Sequence, residues 1–114
     1  MASPVEGIKS VVYRGYLDTD QRAVYICPIT KVSEISSIRL INTTSGQHLI
    51  RASVRLSREL APIIPESFVS LPKHTHDLVD ENQEIGLQPG DSVEIAADVA
   101  NTIYCIIVAK EYIR

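Results

Sequence analysis

The sequence has no tryptophan and a single phenylalanine, and aromatic residues make up only 5% of it. Any core it builds must rest on Ile, Val, Leu and Ala. No apolar run approaches the roughly 20 residues that a membrane-spanning helix needs. The opening MASPVEG has no apolar segment of the kind a secretory signal uses, so folding in a cytoplasm is expected. Cysteine is scarce as well. Cys27 and Cys105 are the two present, without C-x-x-C spacing, which excludes a disulfide framework and a cysteine-rich zinc site. Both sit in strand-like apolar runs and read as buried, reduced thiols; a disulfide would require those strands to be neighbours. Positive charge is in the minority. Eleven Lys and Arg stand against 14 Asp and Glu, a net charge of -3. That argues against sequence-independent nucleic-acid binding, which needs a concentrated positive surface.

Catalytic signatures are missing too. Ser57, Ser67 and Ser70 have no G-x-S-x-G context. Gly90 stands alone, with no following helix to hold a phosphate. His74-Thr75-His76-Asp77 has metal-ligand residue types, and an H-x-H pair on a strand puts both imidazoles on one side, but a third ligand is wanting. Asp77, Asp80, Glu81 and Glu84 form an acidic run that matches no EF-hand loop and reads as a solvated face or a contact to a basic partner. No catalytic residue, metal or cofactor is assigned.

What is present is β-structure. At 114 residues the chain is one domain by size. His48 to Leu56 alternates most cleanly: Ile50, Ala52, Val54 and Leu56 on one face, Arg51, Ser53 and Arg55 on the other. Ile8 to Leu17 alternates too, with Val11, Tyr13 and Leu17 together and Gly15 marking a bulge or a close approach. Arg22 to Cys27 places Ala23, Tyr25 and Cys27 on one face, and Pro28 ends its pairing. Glu34 to Asn42 leads into a hairpin loop at Asn42 to Gln47. Gln88-Pro89-Gly90-Asp91 is a turn. Beyond it, Ser92 to Arg114 reads as a terminal hairpin. Its last strand is apolar on both faces, which predicts a central or doubly covered position.

Residues 1–7 read as an N-terminal arm. Residues 57–82, with Pro62, Pro65 and Pro72, read as one long irregular connection, with a helical turn at Ser57 to Leu60 and a short strand at Phe68 to Leu71. About seven or eight short strands with regular turn signals predict an all-β, single-domain antiparallel sandwich, Ig-like or jelly-roll. The candidate contact residues are Arg51 and Arg55, with Arg39 joining them across the hairpin; Asn42, Thr43 and Thr44 in the loop; and Phe68, His74 and His76 in the long connection. Arginine is favoured at protein interfaces, and no aromatics interleave these arginines as single-strand binding would want.

Three stretches together resemble a family: AVYICPITKVSEISSIRLINTTSG, then HLIRASVRL, then LVDENQEIGLQPGDSVEIAADVANTIYCIIVAKEYI. Their order is similar to the small β-sandwich structural proteins of tailed bacteriophage virions. The likeness rests on the turn at Leu87, Pro89, Gly90 and Asp91 before a strand pair, and on the closing Glu111-Tyr112-Ile113. It implies a non-enzymatic building block in the virion, assembled in the host cytoplasm as a capsid decoration protein or a neck or tail component. The implied partners are copies of itself and other capsid or tail subunits, with no membrane and no specific nucleic acid. It brings over no catalytic residue. Two readings from other classes stand beside it. A carbohydrate- or ligand-binding β module would want exposed aromatics in a concave site, and this chain has few. A small cupin-like enzyme would use His74 and His76 and want a third ligand.

Overall fold

The computed structural model describes residues 8–57, 59–65, 68–79 and 83–113. The arm expected at residues 1–7, together with Arg58, Ser67, Asp80 and Glu81, lies outside the described residues. Ten strands and no helix are present among those described: β1 Ile8–Tyr16, β2 Arg22–Ile26, β3 Lys31–Asn42, β4 His48–Leu56, β5 Glu59–Pro62, β6 Val69–Ser70, β7 Thr75–Val79, β8 Ile85–Leu87, β9 Ser92–Ala97 and β10 Ile103–Ile113.

The strands form two antiparallel sheets packed face to face. The front sheet runs β1-β10-β3-β7, with β8 also on β3. The back sheet runs β2-β9-β4-β5, with β6 also on β4. First strand pairs with last, second with ninth, third with seventh and eighth, and fourth with fifth and sixth. This is one long hairpin rolled across itself, so of the two sandwiches expected the jelly-roll is the one formed. Two expected hairpins are corrected by it. β3 and β4 belong to different sheets, as do β9 and β10, so Asn42–Gln47 and residues 98–102 are corners between sheets. The expected helical turn at Ser57 is also replaced. Ser57 takes a positive φ of 58° and turns the chain straight from β4 into β5.

Alternation fills the space between the sheets. Ile35, Ile38, Leu40, Ile50, Val93, Ile103 and Ile107 have no exposed surface. Four register shifts occur among the described residues; one makes Leu78 the extra residue on β7, and the other three interrupt the expected faces of β1, β2 and β3. On β1, Val11 pairs with Val108 and Tyr13 with Ile107, so Val12 is the extra residue and Val11 turns outward, away from Tyr13 and Leu17. Gly15 is the close approach rather than the bulge: a Cβ there would lie 3.3 Å from the Tyr13 hydroxyl. On β2 the extra residue is Val24, which leaves Ala23 exposed and off the face of Tyr25 and Cys27. On β3 it is Ser36, whose buried hydroxyl has no hydrogen-bond partner among the described residues. On β4, Leu56 is exposed at the strand end, and Ser53 is buried because Gln21 lies over it, donating Nε2 to its Oγ at 3.3 Å.

Tyr25 ties the sheets together near their edge. From β2 its hydroxyl donates to Glu111 Oε2 on β10 at 2.7 Å and lies 2.7 Å from Ser33 Oγ on β3. Lys31 completes the group, 3.7 Å from Glu111. Cys27 and Cys105 are both buried and free, one following the back-sheet strand β2, the other in the front sheet.

Candidate interaction surfaces

The contact candidates fall on the β3–β4 corner, on the side edge joined to it by the Asn42 N–H donating to the His74 carbonyl at 2.9 Å, and on the two outer sheet faces. Asn42, Thr43 and Thr44 form the corner between β3 and β4, and their polar groups are spent inside it. Asn42 is fully buried; its Nδ2 donates to the carbonyls of Gly46 and Ser70, and its Oδ1 accepts both the N–H and the hydroxyl of Thr44. Thr43 Oγ1 donates to the Thr102 carbonyl of the neighbouring corner. His48 adds a latch: Nε2 is 3.0 Å from Thr44 Oγ1 and Nδ1 is 2.9 Å from Asp98 Oδ1. The Asp–His–Thr order is that of a catalytic triad, but the Thr44 oxygen also binds Asn42 and Gly46, so it serves as the hub of a turn.

Phe68, His74 and His76 close the adjoining side edge. His76 pairs with Leu40 on β3, and therefore faces inward, where its Nε2 meets Ser70 Oγ of the opposite sheet at 2.9 Å. Phe68 packs edge-on against its ring at 5.1 Å. Burial, and then the nearby His74, push the His76 pKa below its ordinary value. His74 stacks on His76 at 6.3 Å between centroids, and its Nδ1 is 2.9 Å from the Pro72 carbonyl. No group of three metal-ligating side chains occurs among the described residues.

Arg39 lies on the outer face of the front sheet, not with Arg51 and Arg55, because β3 and β4 are in different sheets. It forms a cross-strand ion pair with Asp77 at 2.8 Å. This face holds what the sequence reading missed. β10 is central, as expected, but its second face is left half-exposed rather than covered. Register lays three rows across it: Tyr16–Tyr104–Ile41, Arg14–Ile106–Arg39, and Val11–Val108–Ser37. Tyr16 and Tyr104 meet edge-to-face at 5.2 Å. The rows stop where Lys110 pairs with Glu84 at 3.3 Å. The signal was available in the alternation of Tyr104, Ile106 and Val108 along β10.

Arg51 and Arg55 do share the outer face of the back sheet. Arg55 is committed to Glu94 at 2.6 Å. Arg51 donates Nη2 to the Thr19 carbonyl at 3.2 Å. Beside it, a cleft opens between β4 and the ridge of β5. No family model, curated protein or solved structure matches this chain.

Proposed function

We propose that the chain is a non-enzymatic structural subunit that assembles with copies of itself through the outer face of the front sheet, in the setting of a bacteriophage virion. The observation that carries the assembly reading is the three-row face. Tyrosine and arginine flank an aliphatic centre, the composition of an interface core rather than of a solvated sheet. The long strand β1 lies at the end of the sheet order among the described residues and borders the same face, where a neighbour can approach it. The virion setting is supported by the resemblance at Leu87, Pro89, Gly90, Asp91 and Glu111 to Ile113. Jelly-rolls serve viral shells, lectins and cupins alike, so the fold adds compatibility only.

Light scattering after gel filtration, over a concentration series, tests the reading. The wild-type chain is expected as a closed oligomer, and Ile106→Asp as a monomer with an unchanged β-sheet circular dichroism spectrum. A wild-type monomer at every concentration would overturn it.

A further inference from the structure

The back-sheet cleft has about 490 Å³, within the range of small-molecule sites. Its construction follows from strand register. Ser53 is paired with Pro62 and Arg55 with Leu60, so neighbouring side chains on β4 and β5 share the outer face. One side is polar, formed by Gln21, Arg51 and Ser53; the opposite wall is apolar, formed by Leu60, Pro62 and Ile64. Among the described residues, Arg51 is the only ionised side chain of the lining. The carboxylates around it are committed elsewhere: Asp18 and Asp20 to Arg22, Glu94 to Arg55. Apart from its bond to Thr19, the Arg51 fork has no acceptor among the described residues. A guanidinium presents paired N–H donors that match a carboxylate.

We propose that this cleft binds an aliphatic carboxylate. The carboxylate lies on Arg51, with hydrogen bonds from Gln21 and Ser53, and the hydrocarbon lies along Leu60, Pro62 and Ile64. One cation matches a monoanion; a doubly charged phosphate would be left half-compensated by the single guanidinium. The same chemistry is offered by a free short-chain acid and by the carboxyl terminus of a peptide ending in an aliphatic residue. The site is on the sheet opposite the assembly face and does not depend on it.

The test is a ¹H–¹⁵N NMR titration of the full chain with hexanoate, 1-hexanol, and a short peptide ending in leucine, as free acid and as amide. Saturable shifts are expected for hexanoate or the acid peptide at Arg51, Ser53 and Leu60. Hexanol, the amide and the variant Arg51→Met should each bind about tenfold more weakly or worse, the loss of a charge-assisted hydrogen-bonded pair. Leu60→Ser, on the opposite wall, should weaken binding with the rest of the spectrum unchanged. Tighter binding of the acid peptide than of hexanoate identifies a peptide terminus as the source, and the reverse order identifies a free acid. Equal binding of hexanol, indifference to Arg51→Met, or no saturation by either carboxylate overturns the proposal.

Discussion

The Asp91 carboxylate holds the backbone N–H of Ser57 at 2.9 Å, across 34 positions of sequence. Its other oxygen accepts the N–H of Gln88 at 3.0 Å, closing the turn in which Gly90 takes a φ of 88°. Asp91 thereby joins the β8–β9 turn to the β4–β5 turn, at a site where only 6% of it is exposed. Asp91→Ala strands two backbone donors, one of them on a residue already in a strained conformation. A hydrogen bond to a charged group is worth about 1.5–3 kcal/mol. Urea unfolding should show a loss of that size, and a smaller one for Asp91→Asn, which keeps one acceptor oxygen. An alanine variant as stable as wild type would remove Asp91 from this role.

Alternation made the strands and most of their inward faces legible, but it carries no information on which sheet a strand joins. The corner from β3 to β4 and the one from β9 to β10 are as short as hairpin loops, and crossing the roughly 10 Å between sheets needs no longer link. Alternation alone therefore sets Arg39 beside Arg51 and Arg55, although it points from the other side of the molecule. Bulges are equally silent. Val12, Val24 and Ser36 look like ordinary strand residues, and each resets the face of what precedes it. The cleft was out of reach for a different reason. Gln21 and Ile64 come together only because β2, β9, β4 and β5 are neighbours, which no local pattern states.

Tyr25→Phe removes the hydroxyl that links Glu111 and Ser33. A hydrogen bond to a charged group is worth about 1.5–3 kcal/mol, and a loss in that range is expected at neutral pH. Burial, and then the Glu111 carboxylate, raise the Tyr25 pKa above its ordinary value. The folded state therefore holds this proton more tightly than the unfolded chain. The associated stability is complete below about pH 10, and is lost as pH rises above it. Urea midpoints measured from pH 7 to 11 should fall more steeply for wild type than for Tyr25→Phe. Parallel curves would show that Tyr25 is not the group responsible.

His76 gives the opposite slope. Its pKa is lowered by burial and by His74, so the unfolded chain takes up the proton first. The stability is present above the unfolded value of about 6.5 and is lost as pH falls through it. Histidine 76 replaced by glutamine (His76→Gln) keeps a hydrogen-bonding group beside Ser70 and cannot titrate. Between pH 7 and 5 the wild-type urea midpoint should drop and that of His76→Gln should drop less. An identical drop in both would assign the slope to another group.

Cys105 lies near the start of β10 with no exposed surface, and burial pushes its thiol up to about 12. A thiolate is the reactive form, so the folded protein should resist a disulfide reagent even at a pH where a free thiol, ordinarily near 8.5, is largely ionised. Because the folded pKa is the raised one, this thiol's stabilising contribution is intact below about pH 8.5 and disappears as pH climbs. The cleanest measurement uses Cys27→Ala, in which Cys105 is the sole cysteine. At pH 9 its labelling should be limited by unfolding and should accelerate with urea in step with the loss of β-sheet signal. Rapid labelling of the folded variant without urea would mean that the centre of the front sheet opens on its own. The interior would then be far less closed than the unexposed Ile103 and Ile107 on either side of Cys105 require.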